Sequence, residues 1–265
     1  MKRTLIDFLP LELPVEIEAL CRGAQIYDSS CSPEARVYFI QKDGGYYLKI
    51  GEGLGREAKM TEYFHKKGLG AEVLYYGCGE KDILLTRALP GEDCIHKEYL
   101  DNPKRLCDIL ATQLRQLHEL DFSDCPVQDR LGEYFALAQK NYLSDNYNKE
   151  HFPDSFGYAS GEEAWQALCR GKVLLKNEVL IHGDYCLPNI MLDGWRFSGF
   201  IDLGGAGVGD RHIDLFWGRW TLGFNLRNSV GVNIPALQER FFDAYGRDKI
   251  DDEKLKTVAA AEVFG

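Results

Sequence analysis

The sequence predicts an α+β chain with a β-rich first third and a mainly helical remainder. Short runs of aromatic and β-branched residues, separated by glycine turns, fill the region up to residue 91. Beyond it, Leu106, Ile109, Leu110, Leu114, Leu117 and Leu120 recur at helical spacing. Between the two lies a break, Leu89-Pro90-Gly91. A chain of 265 residues can hold two lobes, each with its own core. We therefore expect an N-terminal lobe over 1–91 and a C-terminal lobe over 92–265, with a hinge near 86–91.

The elements follow in order. Residues 36–41 and 45–50 read as strands, and Lys42-Asp43-Gly44-Gly45 supplies the turn between them. Residues 53–67 read as a helix stopped by Gly68-Leu69-Gly70. Strands over 71–76 and 82–87 complete the first part. In the second, a helix spans about 103–120, and Ser160-Gly161-Glu162-Glu163 forms a capping box that opens another. Residues 211–220 and the last 30 residues are mainly helical in character. No internal repeat or low-complexity segment is apparent.

Composition narrows the class. Apolar and charged fractions of 45% and 27% describe an ordinary globular protein. No run reaches the roughly 18 apolar residues of a membrane span, and Asp7 and Pro10 interrupt any signal-peptide core, so a cytoplasmic protein is expected. The eight cysteines include no Cys-x-x-Cys pair, which argues against a structural zinc site and for free, mostly buried thiols. The net charge of −10 is unevenly placed, since residues 92–265 hold 19 Lys/Arg against 28 Asp/Glu. That argues against nucleic acid, whose phosphates need cationic neutralisation, and suits a cationic small molecule on the second lobe.

The chemistry concentrates in Ile181-His182-Gly183-Asp184-Tyr185-Cys186-Leu187-Pro188-Asn189 and Phe200-Ile201-Asp202-Leu203-Gly204. Ile190-Met191-Leu192 reads as a short strand, Asp193-Gly194 as a tight turn, and 195–201 as the return strand. The hairpin sets Asn189 beside Asp202, and Pro188 keeps the preceding loop, with Asp184, out of helix. Phosphoryl transfer needs this set: one carboxylate to orient the attacking hydroxyl, and an amide with a second carboxylate to hold magnesium. Asp184 is thus the catalytic candidate, and Asn189 and Asp202 are the Mg2+ candidates.

This set resembles the catalytic core of the kinase-like antibiotic phosphotransferases, most closely the aminoglycoside 3'-phosphotransferases, over about 29–264. The resemblance implies a two-lobed protein-kinase-like fold with the active site in the cleft between lobes. It implies that Lys49 contacts the nucleotide phosphates, with Glu57 on the next helix as its ion-pair partner. Ser32, in the loop Ser29-Ser30-Cys31-Ser32-Pro33, would cover the phosphates. Tyr47 would stack on the base, and backbone groups around Thr86 and Ala88 would read its edge, leaving ATP and GTP both open. A protein kinase is disfavoured: Asp210-Arg211-His212-Ile213-Asp214 follows Asp202 too soon for an activation loop. Asp214 is expected to cap the next helix and brace the catalytic loop.

The acceptor is implied by Glu262 and Phe264, which match the acidic residue, spacer and Phe that end this family. Asp154, in the acidic loop before the helix of the 160s, is a further candidate contact. The chain departs from the family pattern at Gly205, where Arg is usual, at the extra Gly265, and across 222–234, which lacks the family's acidic pairs. The expected function is transfer of a nucleotide γ-phosphate to an aminoglycoside hydroxyl, the 3' position, conferring resistance. The alternative is another hydroxylated antibiotic or metabolite as acceptor. A non-catalytic nucleotide-binding module fits less well, because no catalytic group is missing.

Overall fold

The computed structural model describes residues 3–7, 9, 13–31, 35–149, 152 and 156–265. In chain order the first elements are β1 (Thr4–Ile6), α1 (Val15–Cys21), β2 (Gln25–Asp28), β3 (Ala35–Gln41), β4 (Tyr46–Gly51), α2 (Gly55–Lys66), β5 (Val73–Gly77), β6 (Asp82–Arg87) and β7 (Glu92–Asp93). They are followed by α3 (Lys97–Leu100), α4 (Pro103–His118), α5 (Arg130–Leu143), α6 (Gly161–Gly171), β8 (Val179–Ile181), β9 (Ile190–Asp193) and β10 (Arg196–Phe200). The chain closes with β11 (Gly207–Gly209), α7 (Arg211–Leu226), α8 (Ile234–Tyr245) and α9 (Asp252–Glu262). The α+β class is as expected. Among the described residues, no helix is long and apolar enough to cross a membrane.

The chain forms two compact units. One is Met1–His96 with Pro188–Gly204, and the other is Lys97–Leu187 with Gly205–Gly265. Sequence gave a single boundary near residue 91, whereas the segment 188–204 belongs with the first 96 residues. The reason is visible in its hydrogen bonds. Phe200 N donates to Leu69 O at 2.8 Å, and Cys94 N donates to Ile190 O at 3.0 Å.

The first unit is built on a sheet ordered β1-β2-β3-β4-β6-β5, with every neighbour antiparallel. Tyr46, Leu48 and Ile50 point to one face of β4, into a core with Ile17, Ile40 and Leu85. Alternation sends Tyr47 and Lys49 to the opposite face. A small second sheet, β10-β9-β7, carries the later segment. Its hairpin turn sits one residue further on than the Asp-Gly signal suggested. Asp193 pairs with Arg196, and the central residues are Gly194 and Trp195, at φ 52° and 71°. Two positive φ values match the hairpin's twist.

The second unit is helical, with α4 packed on α8 and α9 packed on α6 and α7. The expected leucine stripe of α4 is its buried face, at Leu106, Leu110, Leu114 and Leu117. Each such side chain contributes about 1.5–3 kcal/mol by leaving water. The capping box is present: Ser160 Oγ accepts from Glu163 N at 3.2 Å, and Glu163 Oε2 accepts from Ala159 N at 2.8 Å. The expectation of mostly buried thiols fails, since only Cys94, Cys107 and Cys125 are buried.

The roles foreseen for Asp214 divide between two residues. Asp210 caps α7, accepting from His212 N at 3.0 Å. Asp214 is the brace. Its carboxylate accepts from His182 N at 2.8 Å and Gly183 N at 2.7 Å, and from His118 Nε2 at 3.1 Å. His118 Nδ1 in turn lies 2.7 Å from Tyr245 Oη, which accepts from Arg211 Nη1 at 3.2 Å. Burial holds the His118 pKa below the ordinary histidine value, against the pull of Asp214, which suits a neutral ring bonded on both nitrogens. Replacing Asp214 with Ala leaves two buried backbone N–H groups and a histidine without their acceptor. We expect Asp214→Ala to lose about 3–5 kcal/mol of unfolding free energy. Urea unfolding would measure it, and a loss below about 1 kcal/mol would contradict this role.

Candidate active site

Each unit presents its own set of reactive groups. In the first, Tyr47 and Lys49 of β4 line a cavity of about 250 Å³. Val37, Leu84, Leu89 and Met191 form apolar walls, while Lys49, Glu57, Asn189 and Asp202 supply polar groups. Lys49 Nζ lies 2.9 and 2.7 Å from the two Glu57 oxygens and 2.9 Å from Asp202 Oδ1. The lysine is therefore held by α2 on one side and by the end of the β9–β10 hairpin on the other. Burial disfavours its charge, but Asp202 and Glu57 outweigh that and raise its pKa above the ordinary value. Burial raises Glu57, with Lys49 opposing. Lys49 stays an ammonium at neutral pH.

Asn189 and Asp202 meet as expected at the base of the hairpin, where Ile201 N donates to Asn189 O at 3.0 Å. Asn189 is buried, whereas half of the Asp202 side chain is exposed. Asp202 adopts the left-handed region at φ 58°, which an aspartate tolerates better than most residues. An amide oxygen and an open carboxylate suit a hard cation that keeps several waters and shares phosphate oxygens. The donor set thus fits Mg2+.

Around the cavity the expectations fare unevenly. Tyr47 lines it; its hydroxyl accepts from Arg3 Nη2 at 2.8 Å, and its ring centroid lies 5.1 Å from that of Phe39. Thr86 lines it, but the Ala88 N–H donates to Gly45 O at 3.0 Å and already has a partner. Ser32 lies outside the described residues, while its loop neighbours Ser29 and Cys31 line the cavity. Cys31, Leu89, Met191 and Ile201 are contributors that sequence missed. Met191 and Ile201 were signalled by their place in the hairpin, flanking Asn189 and Asp202.

In the second unit, Asp184 sits on the loop after β8. Gly183 precedes it at φ 84°, and a Cβ there would come within 2.0 Å of Gly205 O. Only glycine fits, because the two backbones touch. Gly205 O also accepts from Arg130 Nε at 2.8 Å. Tyr185 is fully buried and donates to Leu110 O at 2.8 Å, and Leu187 N donates to Thr221 Oγ1 at 3.1 Å. Asp184 is thus offered on a loop tied down on both sides. The Cys186 thiol beside it has its pKa raised by burial and by the Asp184 charge.

Glu262, at the end of α9, accepts from Tyr134 Oη at 2.7 Å and Trp217 Nε1 at 3.0 Å. Burial pushes its pKa up to about 7, against those hydrogen bonds, with the Asp184 charge adding to the rise and Arg130 opposing it. Phe264 is not at a surface: it is fully buried among Tyr142, Tyr147 and Trp165. Its carbonyl accepts from Asn141 Nδ2 at 2.8 Å, so it anchors the chain end that carries Glu262. An acceptor contact by the Phe264 ring is excluded by that burial. Asp154 lies outside the described residues.

Residues 33–256 match the model of the phosphotransferase enzyme family. A probable aminoglycoside 3'-phosphotransferase of Lactococcus lactis subsp. lactis is 50% identical over 257 residues, covering 96% of this chain and 95% of the relative. The chain belongs to the aminoglycoside 3'-phosphotransferase family. An aminoglycoside 3'-phosphotransferase of Escherichia coli is 33% identical, covering 88% of this chain and 83% of its own length. The fold agrees: the crystal structure of an aminoglycoside-3'-phosphotransferase of type VIII superposes with a TM-score of 0.76 at 23% identity, covering 95% of this chain and all of that one. Membership of this family makes the chain a phosphotransferase with the kinase-like fold.

The raised Glu262 pKa has a sign that can be checked. Folding favours its protonated form, so this contribution to stability is present below the ordinary carboxylate range and lost as pH rises through about 7. A neutral glutamine escapes that loss. The gain in melting temperature of Glu262→Gln over the parent should grow between about pH 5 and about pH 8. A difference independent of pH would contradict it.

Proposed function

We propose that the protein transfers the γ-phosphate of a nucleoside triphosphate to the 3'-hydroxyl of an aminoglycoside, and so confers resistance to it. The observation that carries this reading is the Lys49 ammonium gripped by Glu57 and Asp202 at a cavity. The other unit supplies a carboxylate, Asp184, on a loop whose backbone Asp214 holds. Relatives named for aminoglycoside 3'-phosphorylation, at 50% and 33% identity, support the acceptor class.

Roles follow from the chemistry of each group. Tyr47 and Thr86 form part of the nucleotide cavity, and Lys49 neutralises phosphate oxygens there. Its two carboxylate partners keep it charged and fix its direction, so little reorganisation is needed as charge moves in transfer. Asn189 and Asp202 would hold Mg2+, which when bound neutralises phosphate charge. Asp184 accepts a hydrogen bond from the acceptor hydroxyl, orients its lone pair in line, and takes its proton as the bond to phosphorus forms. Glu262 faces an amino group of the acceptor. Such an enzyme works in the cytoplasm, where nucleoside triphosphates are available.

One observation favours a narrower or different acceptor. The segment 222–234, which the family fills with acidic pairs, has none here. A coupled ADP-release assay with kanamycin, neomycin, a macrolide and choline decides between the two. We expect turnover with at least one aminoglycoside; turnover with non-aminoglycosides alone would overturn the reading. In Asp184→Ala, kcat should fall by roughly 10²–10⁴-fold while nucleotide binding persists. Near-parental turnover in that variant would remove Asp184 from the role.

A further inference from the structure

Helix α7 shows a row of aromatic side chains along one face, spaced at one helical turn: Trp217, Trp220 and Phe224. The rings are in contact. The Trp217 and Trp220 centroids lie 5.4 Å apart edge-to-face, and Trp220 stacks on Phe224 at 4.7 Å. Phe156 closes one side, 6.2 Å from Trp217 and 6.4 Å from Trp220. Trp217 packs in part against the core of the second unit; Trp220 is only half-buried, and Phe224 is exposed. Contiguous apolar surface left open to solvent marks interaction sites, whereas single exposed apolar residues do not.

The position of the row says what it meets. Its first member donates an indole N–H to Glu262 Oε1 at 3.0 Å. Glu262 and Asp184 also sense each other's charge. The row therefore starts at the Glu262 carboxyl group and runs away from it along α7. At its other end the Arg227 guanidinium lies 3.9 Å from the Phe224 ring centre. That end already holds a cation, so a further amine is repelled there. The accessible aromatic surface lies between the Glu262 carboxyl group and the Arg227 guanidinium.

We infer that Trp217 and Trp220 form the wall against which an amino-sugar ring of the acceptor lies, with its ammonium group directed to Glu262. The inference rests on the function proposed above and deepens it. Amino sugars offer both features such a wall recognises: an apolar face of axial C–H groups for the indoles, and an ammonium attracted to aromatic faces. It also accounts for the missing acidic pairs over 222–234. Here the grip beyond Glu262 is aromatic, on the same helix face, rather than ionic. Because Arg227 caps the row, the site favours an acceptor with one amine-bearing ring beyond the reacting one over a longer polyamine.

Steady-state kinetics and tryptophan emission test this on the full chain. In Trp220→Ala the acceptor KM should rise about tenfold, the size of one desolvated cation–aromatic contact, with the KM for ATP unchanged. Trp220→Phe should recover most of that rise, which a merely structural role would not predict. Kanamycin added to the parent should change tryptophan emission saturably, and Trp220→Phe should lose most of the change. If Trp220→Ala fails to fold, the Trp220→Phe emission titration decides alone. An acceptor KM within twofold of the parent in Trp220→Ala, or an unaltered emission change in Trp220→Phe, overturns the inference. Either result would leave the proposed function standing if aminoglycosides turn over. Absence of turnover with every aminoglycoside overturns the function, and this inference with it.

Discussion

The buried carboxylate of Asp214 is the interaction on which the helical unit depends. One side chain takes the backbone N–H groups of His182 and Gly183 and a ring nitrogen of His118. It thereby joins α7, α4 and the end of β8, and through Tyr245 it reaches α8. A carboxylate without solvent is tolerable only when donors meet it, and here three do. The loop with Asp184 inherits its position from that satisfaction. Gly183 adds a steric constraint, since its backbone rests against Gly205 with no space for a side chain.

The sheet unit relies on a different balance. Lys49 is placed by strand alternation on the face away from the hydrophobic core, and two carboxylates meet it there. One of them, Glu57, is buried and holds Lys49 through both of its oxygens. The other, Asp202, is half open and can exchange its lysine contact for other ligands. A fixed partner and an exchangeable one keep the cation in place while leaving its far side to chemistry.

Much of this was legible from residues alone. Lys49 and Glu57 came from the resemblance to the antibiotic phosphotransferases, whereas Asn189 and Asp202 could be placed because a short-range rule, hairpin closure, fixes them. The leucine stripe of α4 and the Ser160 cap were readable for the same reason. Phe264 was not, because a terminal aromatic looks the same in sequence whether it faces a ligand or the rings of Tyr142, Tyr147 and Trp165. Backbone groups around Thr86 and Ala88 were expected to read a base edge, yet the Ala88 N–H bonds to Gly45 O, which depends on how far the β4–β6 pairing extends. The spacing of Trp217, Trp220 and Phe224 was present in the sequence but marked only a helix. Its link to Glu262 is a contact across 45 residues, which no local pattern encodes.

The hairpin of β9 and β10 leaves the chain order of the unit it completes. The first 96 residues emerge from the ribosome without it, and 91 residues of the other unit are made before Pro188 appears. Until then Lys49 and Glu57 can pair, but Asp202, Asn189 and the β7 partner strand do not yet exist. The cavity beside Lys49 is therefore a late product of synthesis, finished only when most of the helical unit has been translated. Neither unit can be made whole by cutting the gene once. Two cuts, or a permuted chain, would be needed to isolate either.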